Sequence, residues 1–209
     1  MALSRRQFIA RAGIFGIAAT APLQALYTKA AQGQSVYGPG YGPLVPDPNG
    51  LLDLPIGFRY RVFSSFGQIM SDGNPVPGGH DGMAAFAGPR GTTILVRNHE
   101  LSPDSGSTVI APAGKKYDPL SRGGTTTLIV GPQNRLIADF ASLAGTYRNC
   151  AGGPTPWGSY ISCEENTSTP ETNPAVTVPH GFNFEVPASA TSVVDPVPLV
   201  EMGRFNHEA

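Results

Sequence analysis

The stretch Thr125-Thr126-Thr127-Leu128-Ile129-Val130, Gly131-Pro132-Gln133-Asn134, Arg135-Leu136-Ile137-Ala138-Asp139-Phe140 holds two apolar, β-rich runs around a turn cluster. β-branched residues are stiff at χ1 and pack well on a pleated surface, while Gly, Pro and Asn supply turn conformations. The stretch therefore predicts a β-hairpin with a four-residue connection. Similar short runs lie at residues 60–63, 92–96, 159–162 and 182–186, separated by turn clusters such as Pro77-Gly78-Gly79, Arg122-Gly123-Gly124 and Gly152-Gly153-Pro154. Nowhere do apolar residues recur at i, i+3, i+4 and i+7 over three turns, so the pattern is all-β: a sandwich, a barrel or a propeller.

Composition agrees with many tight turns. Gly (26) and Pro (21) make up about 22% of the 209 residues, against roughly 12% on average. Charged residues are sparse, with 14 Lys+Arg against 15 Asp+Glu and a net charge of -1. No basic cluster is present, which excludes a nucleic-acid protein, and two cysteines are too few for a disulfide scaffold. No apolar run of about 20 residues predicts a stable membrane span. The sequence lacks G-x-S-x-G, H-E-x-x-H, Walker, EF-hand and C-x-x-C motifs.

Residues 1–30 carry Arg5, Arg6, Arg11 and Lys29 but no acid, and Ser4-Arg5-Arg6-Gln7-Phe8-Ile9 precedes an apolar stretch from Ile14 to Leu26. This is the plan of an export signal of the twin-arginine type, with cleavage expected after Ala30. The chain is thus expected to engage the twin-arginine export machinery and to be periplasmic or secreted. That route carries folded proteins, often with a cofactor already inserted. Residues 31–50, in which Gly and Pro recur, predict an extended lead-in. Residues 51–209 form the β domain. A propeller blade takes about 40–50 residues and at least four are needed for closure, so a propeller here is expected to be an incomplete, N-terminal portion.

Acids follow the strands in a repeated way. Asn98-His99-Glu100 closes one run, Cys163-Glu164-Glu165-Asn166 closes another, and Asn206-His207-Glu208 follows Gly203-Arg204-Phe205. Carboxylates at one end of radially arranged strands would converge on one cavity suited to hard cations such as calcium. Cys150, in Arg148-Asn149-Cys150-Ala151-Gly152-Gly153, is open to three readings: a thiolate ligand for a softer metal such as iron or zinc, a buried hydrophobe, or a disulfide partner of Cys163. Arg204 and Arg97 are candidates for holding an anion.

Taken together, Ser4-Arg5-Arg6-Gln7-Phe8-Ile9, His80-Asp81-Gly82-Met83-Ala84, Arg97-Asn98-His99-Glu100 and the block from Arg148-Asn149-Cys150-Ala151-Gly152-Gly153 through Trp157-Gly158 to Cys163-Glu164-Glu165-Asn166 resemble the PhoX-type secreted alkaline phosphatases. His180-Gly181-Phe182 and Gly203-Arg204-Phe205-Asn206-His207-Glu208-Ala209 continue the resemblance. It implies a β-propeller enzyme that hydrolyses phosphate monoesters at an iron–calcium cluster, with a small phosphoester as substrate. Cys150 matches the family's iron-ligating cysteine. Glu100, Glu164, Glu165 and Glu208 match its acidic metal ligands, and Glu165 and Arg204 are the expected catalytic residues. The alternative is a non-catalytic exported propeller that binds calcium and a ligand or partner.

Overall fold

A computed structural model describes residues 41–208. The expected signal peptide and the first part of the lead-in lie outside the described residues. The chain divides into two units, at Arg61 and Val62. In the first, β1 (Leu44–Val45) and β2 (Leu54–Pro55) pair antiparallel. The turn between them is organised by Asp47, whose carboxylate accepts the N–H groups of Asn49, Leu51 and Leu52 and the Tyr60 hydroxyl at 2.6 Å. The Tyr60 bond leads the effects that hold the Asp47 pKa down at about 2. The expected strand at 60–63 does not form: Tyr60 serves this turn, and the unit boundary follows Arg61.

The second unit is built from two antiparallel meanders. The first joins β3 (His80–Ala87), β4 (Thr93–His99), β5 (Gly123–Val130) and β6 (Leu136–Thr146) in chain order. The second joins β7 (Asn149–Pro154), β8 (Ser159–Glu164) and β9 (Asn183–Pro187). The β5–β6 hairpin turns through residues 131–135, with Asn134 at φ 55°, a left-handed conformation that Asn tolerates better than most side chains. Among the described residues there is no α-helix, only two short 3₁₀ turns. The protein is all-β. The two meanders do not close into a ring among the described residues, so the structure shows sheets and not a complete propeller.

β3 and β7 were not anticipated as strands: residues 80–87 gave no β-rich run, and Gly152-Gly153-Pro154 reads as a turn. Tertiary fit explains both. Gly152 lies at φ 146°, and a Cβ there would stand 1.8 Å from the Ile161 carbonyl oxygen. A Cβ on Gly82 would stand 2.8 Å from the Cys150 carbonyl oxygen, so glycine lets β3 press against β7. The core lies where the sheets meet: Ala84, Val96 and Leu143 from the first pack with Tyr160, Phe184 and Val186 from the second. Phe184 has no exposed surface. Phe184→Ala is expected to lower the unfolding free energy by about 3–5 kcal/mol, read as a shifted urea midpoint at unchanged m-value. A loss below about 1 kcal/mol would contradict this packing.

Candidate metal centre

The site is assembled around Glu164, the last residue of β8, which is fully buried. Its Oε1 accepts the Tyr147 N–H at 2.8 Å and pairs with His180 Nδ1 at 2.7 Å. Its Oε2 accepts the N–H groups of Gly181 at 2.7 Å and Phe182 at 3.1 Å. Its main-chain carbonyl accepts the His207 N–H at 3.0 Å. One residue thereby gathers three segments: the one leading to Arg148 and Cys150, the one around His180, and the one leading to Glu208.

The neighbours of these anchors converge. Glu165 donates its N–H to the Arg148 carbonyl at 3.0 Å. The Cys150 Sγ lies 3.5 Å from the His207 carbonyl oxygen and 3.7 Å from that of Glu208. The thiol of Cys150 and carboxylate oxygens of Glu165 and Glu208 all lie within 4.8 Å of one another. Glu100, directly after β4, stands beside them through Arg148, whose Nε and Nη2 donate to Glu100 Oε1 at 3.1 and 2.8 Å while Nη2 also donates to Glu165 Oε2 at 3.1 Å.

The electrostatics of the cluster suit a cation. Partial burial, then a hydrogen bond and charge from Glu100, and lastly the charge of Glu208, raise the Asp81 pKa. Burial first, with Glu165 and Glu208 adding to it, raises that of the Cys150 thiol. A bound cation would reverse the carboxylate repulsion and favour the thiolate. Sulfur beside several carboxylate oxygens is a mixed donor set able to take both a softer transition metal and a hard cation. The residues therefore fit the kinds of metal that the resemblance implies. Both cysteines are free and buried. Cys163 is 2% exposed, and burial, helped by Cys150, pushes its thiol pKa up to about 11.

Other candidates sit elsewhere. Glu164 directs its carboxylate to the four partners above and is not part of the thiol cluster. The Nε of Arg204 donates to the His180 carbonyl at 2.8 Å and its Nη2 to that of Thr167. Arg97 is buried against Ser64 and Thr126, and burial lowers its pKa to about 10. Three participants went unforeseen: Asp81, Arg148 and Asn98. Asn98 bonds the Ala151 carbonyl at 2.8 Å and the Tyr160 hydroxyl at 3.1 Å, and accepts from Ser162 at 2.8 Å. Ser162 in turn accepts from Asn149 at 2.8 Å, so this buried chain clamps the bulge that carries Cys150.

His180 lies between two carboxylates, with Nε2 3.1 Å from Asp118 Oδ2. Burial pulls its pKa down, but bonds and charges from Glu164 and then Asp118 outweigh this and raise it. Asp118 is also buried, which raises its pKa, yet the N–H groups of Thr177 and Leu120, then His180, hold it below the usual value. A raised histidine contributes stability in full below its unfolded pKa of about 6.5 and loses it as pH climbs through the folded value. The lowered Asp118 contributes above its unfolded pKa and loses it in acid. Urea unfolding across pH should therefore show stability falling as pH rises above about 6.5, and His180→Gln should flatten that alkaline limb. An unchanged alkaline limb in the variant would contradict the assignment.

Comparison with known proteins places the chain in a family. No curated protein and no solved structure matches the chain. The family model described as alkaline phosphatase PhoX matches residues 39–139 and 124–209, which together take in both meanders and every residue of the cluster. The chain therefore belongs to the PhoX alkaline phosphatase family.

Proposed function

We propose that the chain serves a metal-dependent phosphomonoester hydrolase, and that Cys150, Glu165 and Glu208, with Glu100 beside them, hold its iron and calcium. The observation that carries this is the convergence of a buried thiol with carboxylates from separate segments, in a chain of this family. Cys150 is assigned to iron as the softer donor, and the carboxylates to calcium and to the remaining iron positions. Bound cations offset the charge of a phosphoryl dianion and activate water for its hydrolysis.

The chain's own residues prepare that chemistry. The Asn98 network fixes the Cys150 bulge, and Glu164 holds the segments of Arg148, Glu165 and Glu208 together. Glu165, a carboxylate of the thiol cluster, is assigned both as ligand and as catalytic residue. Arg204, with its guanidinium on two carbonyls, serves to hold the loop from Thr167 to His180. The two meanders are read as propeller blades, since an antiparallel meander is the unit from which blades are built. Export by the twin-arginine route, to the periplasm or beyond, completes the reading. The rival, a calcium-binding module without catalysis, leaves the thiol at the centre without a role.

Protein loaded with iron and calcium is expected to release phosphate from p-nitrophenyl phosphate, and calcium chelation to abolish this. Loaded protein that leaves several monoesters untouched would sink the assignment. Cys150→Ser should lose iron, its visible absorption and activity, the last by more than about a hundredfold, since even outer partners of a metal ligand are worth 10–100-fold. Cys163→Ser should keep all three. Equal behaviour of the two variants would contradict the ligand role.

A further inference from the structure

Arg148 is tied to two segments twice over. Its guanidinium bridges Glu100 and Glu165, and its main chain links the same two places: its N–H donates to the Leu101 carbonyl at 3.1 Å, and its carbonyl accepts the Glu165 N–H at 3.0 Å. Glu100 follows β4 of the first meander and Glu165 follows β8 of the second. The residue holds φ 53°, a left-handed conformation unusual outside glycine. Its side chain is 39% exposed, so the guanidinium has an open way to solvent.

Charge makes this placement consequential. Glu165 and Glu208 crowd one thiol, Arg148 ties Glu100 to Glu165, and Asp81 lies against Glu100; among the described residues Arg148 supplies the only cationic side-chain contact to these four acids. Arg97 and Arg204 have their guanidinium groups held elsewhere. Like charges so close destabilise the fold unless a cation lies among them.

We propose that Arg148 is the centre's built-in counter-cation: it stands between Glu100 and Glu165 in place of a metal while the chain folds, and yields both carboxylates when calcium binds. The inference rests on the metal-centre reading above. Arg148 is thus a positioning residue, acting through the two glutamates. Because it competes with the metal for them, its loss has two effects of opposite sign. The metal-free chain loses stability, whereas calcium meets undefended carboxylates and binds more tightly. A residue needed only for structure would weaken both.

The test uses the full chain after chelator treatment, with calcium titrated by calorimetry and metal-free unfolding followed thermally. Arg148→Gln should lower the metal-free Tm and tighten the calcium Kd by roughly 5–150-fold, the usual range of a coupling between two ligands of one site. Arg148→Lys, which keeps the charge without the fork, should fall between wild type and Arg148→Gln on both readouts. Should Arg148→Gln not fold, nitrogen NMR of the wild-type Arg148 Nε–H decides: a protected signal in the metal-free protein that is lost on adding calcium supports the inference, and one unchanged by bound calcium overturns it. Calcium binding to wild type with unchanged or weaker Kd in Arg148→Gln overturns the inference and leaves the metal centre standing. A wild-type chain that binds no calcium overturns both.

Discussion

A single buried carboxylate holds the site together. Glu164 has no exposed surface, and each of its oxygens has two partners. A buried carboxylate with a missing partner is costly, and breaking such a pair typically destabilises by about 3–5 kcal/mol. The two segments that supply these partners are therefore held to one geometry, and the main-chain carbonyl of Glu164 holds a third through the His207 N–H. The Tyr147 and His207 segments lead to Cys150 and Glu208, and Glu165 follows Glu164 directly. The convergence of the thiol and the two carboxylates is a consequence of how Glu164 is satisfied.

Two layers of different chemistry result. Inside, polar groups are matched: His180 lies between Glu164 and Asp118, and Asn98 links Ala151, Tyr160 and Ser162. These bonds are shielded from water and specify one arrangement of the backbone. At the rim the balance is reversed. Among the described residues acids outnumber the one guanidinium that contacts them, and a thiol is pressed among them. A well-satisfied interior supporting an under-neutralised rim is the arrangement expected of a metal centre, in which rigid supporting bonds orient the ligands.

Much of the scaffold was legible from residue pattern. Thr-rich and apolar runs around Gly131-Pro132 marked the β5–β6 hairpin, and β4, β8 and β9 followed from similar runs. β3 and β7 were hidden because glycine weakens the strand signal, and its purpose shows only when Ile161 and Cys150 are seen against it. The cluster was legible by residue type: Cys150, Glu165 and Glu208 were all singled out. The adjacent Glu164 and Glu165 were less easily told apart, although successive residues along a strand point to opposite sides and so have different surroundings. Arg148 carried no local signal, since its partner Glu100 is 48 positions away. Such a pairing exists only once two sheets meet.

The central claim is that the Cys150, Glu165 and Glu208 cluster is where metal is held. Anomalous diffraction at the iron edge, from crystals of the metal-loaded protein, tests this most directly. The account predicts an iron peak within bonding distance of Cys150 Sγ, with Glu164 still bound to Tyr147, His180, Gly181 and Phe182. An iron peak away from Cys150, or one held by Glu164 with those bonds broken, would contradict it.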